Sequence, residues 1–457
     1  MQYRKGYIKK ILCRIFLIDA SLIVAMFSML CGQEKLSLTV DQAISIGVQN
    51  SKSLHSSLMK SEYADAKSGE VHTQGLPQIK FSGSYTKLSN VPPEEIGPYP
   101  PLFNDKIVIS PSIFNNYDLR LSLQQPLFTG FRIQSASDIA EYTAQATSQD
   151  FSNDKSELIY NIQTSYWNLY KANEFKKVID ENVMQMNAHL KEVQNMFDQG
   201  ILTKNEVLKV EVQLSNAQVV QLDAQNNVHL AMLALNNIIG TPLRSDIDLD
   251  TSNIVQPEDY GDVNRLVQEA LENRSDLKSM EYRVKAGESG VTFARSGWFP
   301  QIYLIGNYYY DRPNQRIFPA LDQFQDTWDV SLSVSFDIWN WGNTIHQTNQ
   351  AQAQLAQAQD GLGQLRDGVT LEVTQNYLNA NEAKERITLA EKGVTQAEEN
   401  YRITHEKFKS GLALNTDLLD AEVSLLQSKW NHIQAVVDRM LAVARLKKSI
   451  GGDLTSR

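Results

Sequence analysis

One segment near residue 330 alternates apolar and polar residues so strictly that it predicts a β-strand from about Asp326 to Trp339. Aspartate or serine occupies the intervening positions. The apolar positions are Trp328, Val330, Leu332, Val334, Phe336 and Ile338. A period of two over about eleven residues has the length and pattern of a tilted strand that crosses a membrane with its apolar side toward lipid. The competing interpretation is a soluble antiparallel sheet with one buried face.

Three weaker patterns predict three more strands. Residues 117–124 alternate tyrosine or leucine with polar residues, residues 79–85 alternate in a similar way, and residues 303–310 are apolar on both faces. Four strands cannot close into a barrel, and unpaired backbone groups are costly in lipid. Because bacterial barrels begin at about eight strands, several copies of the chain have to share one barrel, and three copies give twelve strands.

Two long segments have a helical period instead. Within residues 179–197, and again within 387–408, apolar residues recur every three or four positions, which is the seam of a coiled coil. Residues 131–241 and 343–457 contain no proline. We therefore expect two uninterrupted helices of about 65 residues, each roughly 100 Å long.

These elements recur in the same order, so the chain is duplicated. The sequence Pro-Gln-Ile begins at 77 and at 300, and Phe-x-x-Gly begins at 197 and at 408, an offset of about 211 to 223 residues. Each half predicts a helix (about 40–75 and 263–297), two strands, a very long helix and another helix. The predicted division is a first repeat of residues 33–245, an inter-repeat linker of residues 246–262 and a second repeat of residues 263–452.

The first 32 residues predict a secretory signal peptide, because basic residues precede an apolar run that ends at Leu30. Both cysteines, Cys13 and Cys31, lie within it, so we expect a mature protein without disulfides. A retained anchor and a lipid on Cys31 are the alternatives. No later run of about 18 apolar residues follows, so a membrane crossing would have to be made by strands.

Charge and motif content exclude several classes of function. The formal net charge is −10, whereas nucleic-acid-binding proteins concentrate lysine and arginine. The histidines are scattered, and His405-Glu406 lacks the second histidine of a zinc-protease motif. The sequence has no glycine-rich phosphate loop and no nucleophile elbow. We expect no enzyme activity, no cofactor, no metal and no nucleic-acid partner.

The order and spacing of these features resemble the TolC-like outer-membrane efflux family over nearly the whole chain after residue 35. The resemblance is carried by the prolines that end two helices, the joint at 126–130, the two Phe-x-x-Gly turns and the duplication. It implies an α+β membrane protein whose four transmembrane β-strands per chain contribute to a trimeric 12-stranded β-barrel, continued by a long α-helical coiled-coil tunnel.

The resemblance also implies a function and partners. A homotrimer in the outer membrane, extending into the periplasm, would export drugs, toxic compounds or metals unchanged. It would work with a periplasmic adaptor protein and an inner-membrane pump. A type I protein secretion system uses the same kind of component and is the alternative. A structural coiled-coil envelope protein, a trimeric adhesin and a cytoplasmic scaffold fit the strands within both halves less well.

Family sites map onto two short regions of this chain. The adaptor-contacting tips implied by the resemblance are Gly200, Ile201, Leu202, Gly411, Leu412 and Ala413. The implied periplasmic gate contains Asp417 and Asp420, with Glu206 at the equivalent position of the first repeat. Residue types offer simpler explanations: glycine suits a helix C-terminus, acids suit a helix start, and Thr203 with Glu206 has the sequence of a capping box.

The chain departs from the family at the gate. Well-known members place a tyrosine and an arginine there, which latch the mouth by polar links, but this chain has Phe408 and Ala413. We therefore expect hydrophobic closure around Phe408.

Overall fold

The computed structural model describes residues 36–250 and 261–452. The predicted signal peptide and part of the predicted linker lie outside the described residues. The chain forms two compact units. The helical unit consists of Asp154–Asn273 and Val369–Arg457 together with residues up to Leu54, and the sheet unit consists of His55–Asn153 and Arg274–Gly368. Each unit therefore takes segments from both halves of the sequence.

The first half begins with a short strand and ends with two long helices. In chain order its elements are β1 (Leu36–Leu38), α1 (Val40–Asn50), α2 (Lys52–His72), β2 (Gln78–Lys87), β3 (Glu94–Ile96), β4 (Ile107–Ser110), β5 (Asn115–Phe128), α3 (Arg132–Asp198) and α4 (Lys204–Ile239). The single helix predicted over 40–75 is two helices. Ser51 is extended at the break (φ −66°, ψ 113°), and its hydroxyl accepts a hydrogen bond from the Leu54 N–H (3.1 Å).

The second half repeats this order without counterparts of β3 and β4 among the described residues. Its elements are β6 (Ile247–Leu249), α5 (Val263–Asn273), α6 (Ser275–Arg295), β7 (Gln301–Asp311), β8 (Gln325–Ser335), α7 (Asn343–Lys409) and α8 (Asn415–Ser449). The long helices α3 and α7 both have 67 residues, and α4 and α8 have 36 and 35. The helix predicted over 263–297 is likewise divided, at Arg274. Within residues 36–250 and 261–452, no helix is both long enough and apolar enough to cross a membrane.

The sheet unit contains a four-stranded antiparallel sheet with the strand order β2-β5-β7-β8 and a separate antiparallel pair, β3-β4. Phe81 is paired with Leu121, Leu121 with Tyr308, and Tyr308 with Trp328. Because directly paired residues point to the same side of a sheet, one row of apolar side chains crosses all four strands. The four predicted strands are present, and their apolar sides coincide.

Strand β8 is shorter than predicted. Its last residue, Ser335, is paired with Gln301, and the residue before Gln301 is Pro300, which has no N–H with which to extend the ladder. Phe336 and Ile338 therefore lie beyond the strand, although both are exposed. The prediction of a strand reaching Trp339 is wrong over residues 336–339.

The helical unit has a core around Tyr166, which is 1% exposed. Ile162, Leu169 and Leu235 are completely buried in the same cluster. The Tyr166 hydroxyl lies 3.1 Å from the carbonyl oxygens of Leu38 and Asp250. It thereby fastens α3 to the parallel pair formed by β1 and β6.

Candidate functional sites

The sheet exposes a continuous apolar face. The exposed apolar side chains on this face are Ile79, Phe81, Leu121, Leu123, Tyr308, Trp328, Val330, Leu332 and Val334. Trp328 is 71% exposed and Val330 63%. A face of this kind is not the buried side of a soluble sheet within one chain, and large exposed apolar patches mark contacts with a membrane or another protein.

The opposite face of the sheet carries a polar network. The Arg120 guanidinium donates to Asn307 Oδ1 (2.7 and 3.1 Å), and the Asn307 amide donates to Asp329 (2.8 Å). Arg316 forms an ion pair with Asp329 (2.7 Å). The sequence indicates that these positions are polar, but the links between them depend on a strand order that it does not specify.

Two hairpin tips in the helical unit have the same backbone. We call residues 197–211 the first tip and residues 408–422 the second tip. Gly200 and Gly411 have φ values of +78° and +71°, and each donates to the carbonyl of the phenylalanine three residues earlier (2.8 and 2.9 Å). These left-handed glycines end α3 and α7 as the sequence predicts.

Within each tip, one apolar residue of the turn is exposed and the next one is packed. Ile201 is 65% exposed and Leu412 is 79% exposed. Leu202 and Ala413 instead pack against a buried cluster that includes Val193, Val207 and Leu418. Of the apolar residues predicted to contact an adaptor, Ile201 and Leu412 are the accessible ones.

Glu206 is held by polar contacts and does not form a capping box. Its carboxylate accepts from Lys209 (2.8 Å) and from the Asn415 amide (2.9 Å), and these two bonds, Lys209 first, hold the pKa of Glu206 below its usual range. The Thr203 side chain makes no capping hydrogen bond, so that alternative is wrong. The bond between Asn415 and Glu206 joins the two tips, and Asn415 Oδ1 also lies 2.8 Å from His189 Nε2 on α3.

Asp417 and Asp420 are both exposed in the first turns of α8. Asp417 accepts a hydrogen bond from the Leu414 N–H (2.9 Å), which is the helix-start role that an acid can play there. Leu414 has no side-chain acceptor, so this is half of a capping box. Among the described residues, no group of three or more histidine, cysteine, aspartate or glutamate side chains is arranged to hold a metal ion.

Phe408 lies inside the second tip. Its ring is 3% exposed and meets the His189 ring edge-on, with 5.2 Å between centroids. A side chain enclosed by its own chain does not lie on an open surface. We therefore assign Phe408 to packing of the second tip against α3 rather than to closure of a mouth.

Glu422, on α8, is a site residue that the sequence analysis missed. It is 2% exposed, and neither carboxylate oxygen has a hydrogen-bond partner among the described residues. Burial raises the pKa of Glu422 to about 7. The signal in the sequence was an acid one turn after Leu418, within an otherwise apolar seam.

Comparison with known proteins identifies the family. The family model described as "Outer membrane efflux protein" matches residues 43–241 and 266–452. The toxin and drug export protein A of Aggregatibacter actinomycetemcomitans is 24% identical over 329 residues, covering 69% of this chain and 70% of that protein. The outer membrane protein TolC of Escherichia coli is 22% identical over 437 residues, covering 93% and 84%.

A solved structure confirms the fold. The outer membrane protein VceC of Vibrio cholerae superposes with a TM-score of 0.77 at 17% identity, covering 91% of this chain and 96% of that chain. The two family matches fall in the two halves of the sequence, as the duplication predicts. The predicted resemblance to TolC-like proteins is confirmed, and this chain belongs to the outer membrane efflux protein family.

Proposed function

We propose that three copies of this chain form the outer-membrane channel of a tripartite efflux pump. The observation that carries the proposal is the apolar face that crosses all four strands of a sheet whose edges, β2 and β8, are open. In lipid an open edge leaves backbone groups unsatisfied. Joining β8 of one copy to β2 of the next removes every edge, turns the apolar face toward lipid and the polar face toward a pore, and gives twelve strands in three copies.

The tips are the proposed docking site for a periplasmic adaptor. The turns 200–202 and 411–413 present Ile201 and Leu412 to solvent, while Leu202 and Ala413 support them from the packed side. Two exposed apolar side chains on tight, glycine-ended turns suit insertion into complementary apolar grooves. An inner-membrane pump would complete the assembly.

The exposed acids of the second tip are the proposed gate. In three copies, Asp417 and Asp420 would form two rings of three carboxylates, and rings of this kind attract cations. Glu206 would contribute less, because Lys209 already neutralises it. Cargo would pass without chemical change.

The two candidate classes of cargo are small molecules and proteins. We favour drugs and other toxic small molecules, with type I protein secretion as the second candidate. The relative from A. actinomycetemcomitans is named for both toxin and drug export. Transport assays in cells that lack the gene, with a dye substrate and with a secreted toxin, separate these two cargo classes.

A pair of arginine substitutions tests the proposed channel. Leu332→Arg puts a charge on the apolar face, where arginine at the bilayer midplane costs about 2–4 kcal/mol, whereas Ser331→Arg puts the same charge on the polar face. Wild type and Ser331→Arg are expected in the outer-membrane fraction as trimers that dissociate on heating, and Leu332→Arg is not. Extraction of the wild type as a monomer that needs no detergent would overturn the proposal.

A further inference from the structure

The sheet unit contains a cavity that none of the proposed steps uses. Its volume is about 1120 Å³, which is large enough for a small organic molecule. The lining comes from α2, the first turns of α3, Phe293 on α6, and the ends of β2, β5 and β7. All of the lining residues lie within the sheet unit.

The cavity opens on the polar side of the sheet. The strand residues in its lining include Gln78, Gln124 and Tyr303. Gln78 is paired with Gln124, and both have the same alternation as Arg120 of the polar network. In the proposed channel this side faces the pore, and the inference rests on the proposed function to that extent.

The charges in the lining have one sign. Lys60, Lys67 and Arg132 line the cavity, and no aspartate or glutamate does, although the whole chain has 53 acidic and 43 basic residues. Lys67 is bound by Glu70 (2.7 Å), which lies outside the lining. Within the part of the chain that the structure describes, Lys60 and Arg132 form no ion pair with a carboxylate.

The rest of the lining is largely apolar or aromatic. The Arg132 guanidinium lies over the Phe293 ring, 5.4 Å from its centroid, which holds a cation against an apolar surface. Tyr63, Val71 and Ile133 extend that surface. The glutamine side chains add neutral hydrogen-bond donors and acceptors.

We propose that this cavity binds amphipathic organic anions, molecules with an aromatic or aliphatic body and one carboxylate or sulfonate group. The apolar surface takes the body, and Arg132, which lies over Phe293, takes the anionic group. Lys60 lies further along α2 from His72, the residue that contacts Ser137 on α3 (3.4 Å), so it lies at the far end of the cavity and adds only positive potential. A cation of the same shape meets two uncompensated positive charges and no acid. The cavity therefore selects by sign of charge, on the path that cargo takes.

Equilibrium dialysis of the full-length protein in nanodiscs of zwitterionic lipid tests the proposal. The probes are naphthalene-2-sulfonate and the matched cation 2-naphthylmethylammonium. The wild type is expected to bind the anion and to bind the cation at least about tenfold more weakly. In Lys60→Gln/Arg132→Gln, binding of the anion is expected to fall about tenfold or more, since the charged hydrogen bond from Arg132 contributes on that scale.

The control removes the same charge elsewhere on the same two helices. Lys52 on α2 and Lys191 on α3 are exposed and lie outside the lining, so Lys52→Gln/Lys191→Gln is expected to keep wild-type binding. Equal binding of the two probes, or equal loss in both double variants, overturns the anion site. Heat-modifiable trimer migration, followed in every sample, tests the proposed function separately, because a trimer that fails to discriminate between the probes refutes only the cavity.

Discussion

The two hairpin tips have the same backbone conformation but carry different charges. Both have a left-handed glycine after the long helix, and corresponding residues are 211 positions apart, as 197 and 408 are. In the first tip, Glu206 forms an ion pair with Lys209 (2.8 Å). The corresponding residues in the second tip are two acids, Asp417 and Asp420. Duplication kept the turn and the helix starts, while the uncompensated charge accumulated in the second repeat.

The same contrast holds one turn further along. Glu211 in the first tip is exposed, whereas Glu422 at the corresponding position in the second tip is buried without a hydrogen-bond partner among the described residues. A buried, unpaired carboxylate destabilises the fold unless it is protonated. The second tip thus carries both the exposed acids and a buried carboxylate whose effect on the free energy of unfolding depends on pH.

Substituting the buried acid gives the largest expected effect on stability. Because burial raises the pKa of Glu422 from 4.5 to about 7, the folded protein keeps a proton that the unfolded chain releases. Stability therefore falls as pH rises from about 4.5 through 7, by about 3 kcal/mol at most. Glu422→Gln is expected to flatten the dependence of the thermal unfolding midpoint between pH 5 and 8.5.

Glu211→Gln is the matched control for that measurement. Its side chain is exposed, so the variant should follow the wild-type pH profile. A Glu422→Gln protein whose unfolding midpoint keeps the wild-type slope would show that Glu422 is not the group responsible.

Asn415→Leu is expected to have the next largest effect, about 1–3 kcal/mol of destabilisation. Asn415 is 4% exposed and is the partner of His189 Nε2, while His189 Nδ1 has no partner among the described residues. Loss of the Asn415 side chain leaves the buried imidazole of His189 with neither nitrogen bonded. The pKa of His189, which burial already lowers and the Asn415 bond raises, should fall further.

Chemical denaturation of the detergent-solubilised trimer measures this loss. Lys204→Leu changes the corresponding residue of the first tip, which is exposed, and should leave the midpoint nearly unchanged. Equal midpoints for the wild type and Asn415→Leu would mean that the bonds between the tips add nothing to stability.

Gly200→Ala and Gly411→Ala should cost about 1 kcal/mol each, because both positions require positive φ. A Cβ would meet no atom within 4 Å at either site, so the cost is one of backbone conformation alone. The two variants are expected to lower the denaturation midpoint equally. An unequal pair would show that the tips are not equivalent even in their backbones.

Local patterns predicted the strands and the turns, because the signal for each lies within a few consecutive residues. Alternation identified the apolar face from Trp328 to Val334, and Phe-x-x-Gly identified both turns. The end of β8 escaped prediction because it depends on Pro300, a residue of the neighbouring strand.

Residues whose role depends on distant segments could not be assigned from the sequence. A glutamate in a helix reads as solvated until its covering residues are known, which is why Glu422 was missed. Phe408 looked available for a gate because His189, which packs against it, is more than two hundred residues away. The cavity needs residues from α2, α3, α6 and three strands together, and no local pattern joins them.

Exchanging the charges of the two tips should change stability least and discriminate function best. Asp420→Lys gives the second tip the acid–lysine spacing of the first, and Lys209→Asp gives the first tip two acids. Exposed ion pairs contribute about 0.2–1 kcal/mol, so both variants should unfold within that range of the wild type. In planar bilayers, however, Asp420→Lys is expected to reduce cation preference and Lys209→Asp to increase it, because in three copies each substitution changes the charge of a ring by about six units at one narrow position. Reversal potentials in a salt gradient measure that preference. Shifts in the same direction for both variants would show that the acids of the second tip act on stability or folding rather than on the ions that pass them.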